Sequence, residues 1–237
     1  MKPRFAHPWN LSTPEAVKIQ ERLRQEVSLE GSLKGDSFLV AGLDVATNGH
    51  RFHSAAGEIL YAAVVLLDWP SGEMLEEVYA SLGARFPYIP GLLSFREIPV
   101  LQQALEQLSR IPDLIVCDGQ GIAHPRRFGL ACHLGVLYDI PSLGIAKSLL
   151  CGAVREPDRR RGGHSPIRLG TETVGYAVRT RDNVRPVYVS PGHRLSLQES
   201  LRLTLALHGG FRIPRPTRLA DQKVKQFKNS QPRSGDG

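Results

Sequence analysis

The sequence predicts an α/β protein in which one mixed sheet begins as a three-stranded antiparallel meander, continues with parallel crossover strands and is flanked by helices. Apolar runs at 38–45, 61–69 and 74–84 are typical of strands, and the short turn 70–72 joins the last two. Strands joined so briefly pair antiparallel. Between 114 and 146, strand, helix and strand follow one another, which indicates a parallel crossover unit.

Composition and charge narrow the class of protein. Of the 237 residues, 41% are hydrophobic and 22% are charged, which is ordinary for a globular protein with a large core. No apolar run reaches the roughly 20 residues of a membrane span. Three cysteines without metal-ligand spacing fit reduced thiols, so we expect a cytoplasmic protein with no membrane-spanning segment. The net charge of +7 predicts attraction to polyanions without choosing between nucleic acid and a membrane surface.

The first predicted strand carries an acidic residue that needs an explanation. The run 38–45 is apolar on both faces except for Asp44. A buried ionised carboxylate is costly unless it is paired or binds a metal. Asp44 is therefore a candidate metal ligand, and the alternative is an aspartate that faces solvent at the end of the strand.

A stiff loop follows the meander. Pro87 and Pro90 exclude a helix and hold Tyr88 and Ile89 between them. This segment is either a loop folded onto its own core or a rigid apolar wedge that enters between bases. The spacing of Ser94 and Glu97 predicts a capping box for the helix that runs to about Arg110, so Glu97 has a structural interpretation besides metal binding.

The central stretch combines a buried strand with polar chemistry. The apolar run 114–117 ends on Asp118, and Gly119 and Gly121 allow a tight turn near a ligand. Candidate phosphate-binding residues follow at once: His124, Arg126 and Arg127. A helix is predicted at 128–138. This arrangement favours a metal-dependent site that acts on phosphodiesters.

A parallel strand at 140–146 then ends in Lys147, which the crossover places at the same sheet edge as Asp118. The arginine-rich segment 155–164 is predicted to be a mobile, solvated loop, and the alternative is a contact with the nucleic acid backbone. A hairpin at 173–180 and 186–190 and a helix after Ser196 complete a single catalytic domain, residues 1–221. The polar residues 222–237 are expected to form a disordered tail.

Three carboxylates on separate elements, Asp44, Glu97 and Asp118, could together hold one or two magnesium ions, which prefer hard oxygen ligands. A meander followed by parallel crossover strands is the arrangement of a ribonuclease H-like sheet.

At this level of detail the sequence resembles the endonuclease V family, nucleases of deaminated-base repair. The resemblance covers about residue 13 to Asp221. It rests on GLDV at 42–45, PYIPGLLSFRE at 87–97, DGQG at 118–121, HPRR at 124–127, GIAK at 144–147, GHR at 192–194 and PRPTR at 214–218.

The resemblance implies a ribonuclease H-like fold and hydrolysis of the second phosphodiester bond on the 3′ side of deoxyinosine, with the lesion left in place. The implied cofactor is Mg²⁺, with Mn²⁺ able to replace it. The implied partner of this monomer is double- or single-stranded DNA containing deoxyinosine or other deaminated bases, and RNA stays open as a substrate.

The resemblance also assigns roles to individual residues. The metal ligands would be Asp44, Asp118 and Glu97, with Lys147 and His193 as further catalytic residues. The DNA wedge would be Tyr88, Ile89 and Pro90. The lesion pocket would be Gly91, Leu93, Gly119, Gly121, Ile122 and His124. The DNA backbone would contact Arg96, Arg126, Arg127 and Arg218.

Small departures from the family pattern leave the predicted ligands in place. Gln120 stands where many relatives have histidine, and Arg215 replaces a common acidic residue. Two other classes of function remain as alternatives. One is an inosine-specific ribonuclease or a structure-specific nuclease on the same scaffold, and the other is a basic nucleic-acid-binding module without catalysis.

Overall fold

The computed structural model describes residues 1–49 and 57–231, and these residues form eight strands and five α-helices. The strands are β1 (Phe38–Thr47), β2 (Ile59–Trp69), β3 (Met74–Gly83), β4 (Leu114–Cys117), β5 (Ser142–Ala146), β6 (His164–Leu169), β7 (Glu172–Val178) and β8 (Val187–His193). The helices are α1 (Thr13–Leu23), α2 (Leu93–Leu105), α3 (Leu130–Tyr138), α4 (Leu197–Ala206) and α5 (Arg215–Ser230). Within these ranges no helix is both long enough and apolar enough to cross a membrane.

The strands form one mixed sheet in the order β3-β2-β1-β4-β5-β8-β7-β6. β1, β2 and β3 pair as an antiparallel meander, and β4 and β5 continue parallel to β1. This arrangement confirms the predicted ribonuclease H-like sheet. β8, β7 and β6 extend the sheet by antiparallel pairing. β6 was not predicted, because arginine and proline interrupt its apolar pattern.

Helices cover both faces of the sheet. On one face, α2 and α3 bury residues such as Leu101 and Leu134 against Leu43 and Ile115. On the other face, α4 and α5 pack over Val40 and its neighbours, and we call this the α5 face. Because side chains alternate along a strand, residues two or four positions from Val40 also point to the α5 face.

The predicted disordered tail is wrong as far as Ser230, because α5 continues to that residue. Val224 is fully buried beside Ala63, and the ring centroid of Phe227 lies 4.9 Å from that of Tyr79. These residues form a narrow apolar stripe at helical spacing within an otherwise polar segment, which explains why composition suggested disorder. Residues 232–237 of the expected tail lie outside the described residues.

The first turn of α5 lies directly on β1. A Cβ atom on Gly42 would lie 2.3 Å from the backbone carbonyl of Pro216, which is closer than any real contact. Glycine is therefore required at position 42 for this approach. The contact fixes where the following turns of α5 lie over the sheet.

A chain of hydrogen bonds links the N-terminal segment to α2 through two buried histidines. Ser94 Oγ lies 3.0 Å from His133 Nδ1, His133 Nε2 lies 2.8 Å from His7 Nε2, and His7 Nδ1 lies 2.9 Å from the Pro8 carbonyl. Since that carbonyl can only accept, His7 Nδ1 donates to it, His133 donates to His7, and Ser94 donates to His133. Both rings are neutral in this arrangement. Burial, followed by the neighbouring His7, holds the pKa of His133 well below its ordinary value of 6.5.

This chain predicts a loss of stability in mild acid. A histidine of the unfolded chain takes up a proton as the pH falls through about 6.5, whereas the folded state keeps His133 neutral. The free energy of unfolding should therefore fall between pH 7.5 and pH 5.5, by about 1.4 kcal/mol for each such histidine. Urea unfolding at the two pH values measures this loss, and His133→Gln should reduce it.

The matched control is His164→Gln, since His164 is an exposed histidine of β6. The control should keep the pH dependence of the wild type. A His133→Gln protein with the same pH dependence as His164→Gln would contradict the interpretation.

Candidate active site

Three of the predicted site residues converge at one edge of the sheet. β1, β4 and β5 are parallel, so the residues at their carboxyl ends meet. Asp44 lies near the end of β1, Asp118 directly follows β4, and Lys147 directly follows β5. By strand alternation all three point to the α5 face. Lys147 Nζ lies 2.5 Å from Asp118 Oδ2, which confirms the expected proximity of these two residues.

A fourth charged residue, Asp221, reaches this edge from α5. Its Oδ1 atom lies 3.8 Å from Lys147 Nζ. Asp221 is the last residue of the family resemblance and was not among the predicted site residues. The strand pattern could not identify it, because its position depends on how α5 packs over β1 at Gly42.

The electrostatic state of this cluster follows from burial and like charge. Burial is the main reason that the pKa of Asp44 is raised to about 7, and the negative charge of Asp118 is the second. Asp221 acts in the same direction. Burial alone would lower the pKa of Lys147, but the attraction of Asp118, Asp44 and Asp221 raises it above the ordinary value. Lys147 is therefore the cation that partly offsets three neighbouring carboxylates.

Glu97 approaches the same edge from the opposite face of the sheet. The pKa of the Cys117 thiol, at the end of β4, is raised mainly by burial and secondly by the negative charge of Glu97, so Glu97 lies near the end of β4. The predicted capping box is wrong, because α2 begins at Leu93 and its N-cap residue is Leu92. Ser94 lies inside the helix and donates to His133. The structural interpretation of Glu97 as a cap is thereby removed, and Glu97 lines the site cavity.

The acidic residues fit a hard divalent cation by their chemistry. Within residues 1–49 and 57–231, no three His, Cys, Asp or Glu side chains stand close enough together to form a metal site as they are. The ammonium group of Lys147 lies against Asp118 in this arrangement. All the acidic groups at this edge offer carboxylate oxygens, which Mg²⁺ prefers. The raised pKa of Asp44 marks a position where additional positive charge would be stabilising.

The carboxylates open into a cavity of about 280 Å³ that also contains the predicted wedge and part of the predicted lesion pocket. This volume is near the lower end for ligand pockets, roughly 300–1,000 Å³. The cavity is lined by these predicted residues: Asp44, Tyr88, Ile89, Pro90, Gly91, Leu93, Arg96, Glu97, Asp118, Gly119, His124 and Lys147. The predicted metal ligands and the predicted wedge and lesion-pocket residues therefore line the same cavity.

Two predicted pocket residues lie elsewhere. A Cβ atom on Gly121 would lie 2.1 Å from the Pro191 carbonyl oxygen, so Gly121 packs against β8. Ile122 is buried in a separate apolar cluster. Gly129 and Leu130 line the cavity instead. They stand at the start of α3, a position that the motif spacing did not reveal.

The carbonyl oxygen of Gly91 is held by three donors. Gln20 Nε2 lies 3.0 Å away, Arg126 Nη2 2.7 Å and His124 Nε2 3.0 Å. Gln20 is 1% exposed, and its Oε1 accepts from Arg126 Nε at 2.6 Å. Gly91 itself has φ = +80°, a conformation that favours glycine. Sequence reasoning missed Gln20, because one glutamine in an amphipathic helix carries no motif.

His124 acts in this cluster as a neutral donor. Its Nδ1 accepts from the backbone N–H of Arg126 at 3.1 Å, so its Nε2 carries the proton that Gly91 receives. Burial, followed by the charge of Arg126, lowers the pKa of His124 to about 4. At neutral pH, the donors that hold the loop after Tyr88 are therefore either uncharged or cationic.

The arginines that were predicted to contact the DNA backbone are engaged within the protein. Arg96 is 5% exposed and pairs with Glu58 and the Phe86 carbonyl, and it also lines the site cavity. Arg126 holds Gly91, and Arg127 pairs with Glu172. The guanidinium carbon of Arg218 stacks 3.9 Å from the ring centroid of Phe211.

His193 lies at the opposite edge of the sheet, so its expected place beside the carboxylates is wrong. β8 is antiparallel to β5, and His193 pairs with Ser142, the first residue of β5. Its Nε2 lies 3.2 Å from Asp139 Oδ1, and its Nδ1 accepts from the Ser28 N–H at 3.2 Å. Burial lowers its pKa despite the bond to Asp139. His193 therefore joins loops at the far edge.

Comparison with known proteins agrees with the fold. The family model for endonuclease V matches residues 21–222. An endonuclease V from Roseiflexus castenholzii is 46% identical over 226 residues, which cover 95% of this chain and 98% of that protein.

Solved structures show the same similarity. The crystal structure of an endonuclease V from Streptomyces avermitilis matches with a TM-score of 0.86 at 41% identity, covering 97% of this chain and 98% of that one. The endonuclease V of Ciona intestinalis, in complex with a 24mer DNA containing an inosine followed by a ribo-adenosine, matches with a TM-score of 0.76 at 26% identity and covers 92% and 98% of the two chains. The chain described here therefore belongs to the endonuclease V family of nucleases.

Proposed function

We propose that this nuclease recognises deoxyinosine and other deaminated bases in DNA and hydrolyses the second phosphodiester bond on the 3′ side, leaving the lesion in place. The observation that carries this proposal is the shared cavity of the carboxylates and the loop from Tyr88 to Gly91. The Ciona relative in complex with inosine-containing DNA supports the substrate class.

The carboxylates supply the hydrolytic half of the site. Asp44, Asp118 and Glu97 would hold Mg²⁺, with Mn²⁺ as a substitute, and Asp221 adjoins them. A divalent ion bound there would lower the pKa of an attacking water and offset charge on the scissile phosphate. The carboxylates themselves orient water through their oxygen atoms.

We infer that Lys147 contacts the reacting phosphate. Its side chain is 45% exposed, and its ammonium group lies near both Asp118 and Asp221 in the wall of the cavity. A phosphate oxygen entering there can take over part of its hydrogen bonding. Because its pKa is raised, Lys147 is charged at neutral pH and can stabilise negative charge on the phosphate.

The second half of the cavity suits a base removed from the helical stack. Gly91 and Gly119 line this part of the cavity without side chains, while Ile89, Leu93 and Leu130 supply apolar surface. A base flipped into such a pocket can be read along its edge. Tyr88, partly exposed between two prolines, would fill the gap left in the stack.

A second candidate function is cleavage of inosine-containing RNA. The DNA bound by the Ciona relative carries a ribo-adenosine after the inosine. Matched substrates that differ only by the 2′-hydroxyl at the cut separate the two activities. Binding of both substrates without magnesium-dependent cleavage of either would instead indicate a non-catalytic binding module.

The central test maps the cut in an inosine duplex with and without Mg²⁺. Asp44→Asn, Asp118→Asn and Glu97→Gln should each reduce the nicking rate by about 10³-fold or more, since several kcal/mol of charge stabilisation are removed. The matched control is Asp36→Asn, an exposed aspartate before β1, which should nick at the wild-type rate. Nicking near that rate by a cavity variant would exclude its residue from the metal site.

Tyr88→Ala should affect recognition more than hydrolysis. Unstacking a paired base costs a few kcal/mol, and less in a mismatch or a single strand. The variant should therefore lose activity on inosine duplex, lose less on single-stranded inosine DNA, and keep the same magnesium requirement. Nicking assays on the two substrates measure this ratio. Equal losses on both would favour the packed-loop interpretation.

Gln20→Met should loosen the recognition loop. The substitution removes the buried contacts to the Gly91 carbonyl and to Arg126, at a cost of about 1–3 kcal/mol in unfolding free energy. Amide hydrogen exchange should increase at 87–92, and the preference for inosine over undamaged duplex should fall. Gln198→Met, at an exposed position of α4, is the control. Unchanged exchange at 87–92 would show that the loop is held without Gln20.

A further inference from the structure

An exposed arginine surface lies on the same sheet edge as the active site. We call it the arginine platform: Arg155, Arg159, Arg160, Arg161, Arg181 and Arg185. The first four lie between β5 and β6, and the last two lie between β7 and β8. No side chain among residues 1–49 and 57–231 forms an ion pair with any of these six guanidinium groups.

The platform is built on an internal scaffold, so the segment 155–164 is an exposed loop with hydrogen bonds of its own, and its predicted mobility stays a prediction. Arg179 is 6% exposed, and its guanidinium contacts Glu156 and the carbonyls of Asp158 and Val184. The backbone N–H of Gly162 donates to the Arg179 carbonyl at 2.9 Å. The two segments are thereby joined into one unit.

The nearby carboxylates are already engaged in this scaffold. Asp158 accepts from the backbone N–H of Arg160 at 2.8 Å, and Asp182 accepts from that of Arg161 at 2.6 Å. Glu156 pairs with the buried Arg179. The acidic groups of the two segments therefore stabilise the backbone, and the exposed arginines are left for another anion.

Arg212 ties the platform to the active site. Its Nη2 donates to the carbonyls of Lys147 at 3.2 Å and Pro186 at 3.0 Å, and its Nε donates to the Arg185 carbonyl at 2.9 Å. β8, β7 and β6 follow β5 in the sheet, and neighbouring strands lie about 4.8 Å apart. The platform thus extends from about 5 Å to about 15 Å beyond Lys147 along this edge.

We propose that the arginine platform binds the sugar-phosphate backbone of duplex DNA flanking the reaction centre. The proposal rests on the proposed function, which places a phosphodiester at Lys147. Since phosphates recur about every 3.4 Å of helix axis along one strand, the platform would contact positions about two to four nucleotides from the cut. A protein partner is a poorer fit, because no large exposed apolar side chain of the described residues lies in 155–164 or 179–185.

The test compares two variants that lose the same charge. Arg159→Gln/Arg160→Gln/Arg161→Gln removes half of the platform. Arg24→Gln/Lys34→Gln/Arg110→Gln removes three exposed cations near the opposite edge of the sheet. Affinity for an undamaged 30-base-pair duplex (a length of about 100 Å) is measured from 0.05 to 0.3 M salt.

The platform variant should reduce the slope of log affinity against log salt by about 2–3, which corresponds to as many lost phosphate contacts. Its affinity at 0.1 M salt should fall about tenfold or more, and the control variant should stay within about threefold of wild type. Equal changes in both variants would overturn the proposal. Because undamaged duplex is the probe, absence of inosine cleavage would refute the proposed function without deciding this result.

A second measurement uses the wild-type protein alone and does not depend on the folding of a variant. Inosine duplexes are shortened from either end to leave about three base pairs beyond the lesion. Shortening one of the two flanks should lower affinity and salt slope as the platform substitution does. If neither shortened duplex loses salt dependence, the platform does not contact the flank.

Discussion

Repulsion among carboxylates at one sheet edge is the constraint on which the rest of this structure depends. Burial raises the pKa of Asp44 to about 7, and the negative charges of Asp118 and Asp221 add to this effect. The fold can hold them there because strands buried on both faces fix the backbone positions of β1, β4 and β5. Lys147 supplies the compensating charge. A site under such repulsion gains stability from any cation that enters it.

The recognition half of the cavity is held by different means. Its loop is positioned through one carbonyl oxygen, that of Gly91, with donors from α1 and from the segment after β4. These contacts are made without carboxylates. The loop is therefore held in place without further negative charge beside the carboxylates of Asp44, Asp118 and Asp221. The two parts of the cavity therefore differ in charge: the carboxylates lie at one end, and uncharged and cationic groups hold the loop at the other.

The parts predicted from sequence are those that depend on local pattern. Apolar runs marked β1, β4 and β5, and the polar residues that end or interrupt them identified Asp44, Asp118 and Lys147. The failures have tertiary causes. His193 ends a strand whose direction relative to β5 cannot be read from its residues, and Asp221 depends on the seating of α5 at Gly42. Gln20 and the scaffold around Arg179 depend on partners far away in the chain, which no local pattern can reveal.

The charges along the sheet edge change from negative at the active site to positive near β6. A phosphate backbone is repelled by the carboxylates around Asp44, so the active site alone cannot supply affinity for DNA at low metal concentration. The arginine platform lies about one to three strand spacings away, or about 5–15 Å. This separation is comparable to the Debye length of about 8 Å at physiological ionic strength, so the two regions are partly screened from each other. The arginine platform and the carboxylates can therefore lie on neighbouring parts of one rigid edge, because the strands between them hold the opposite charges apart.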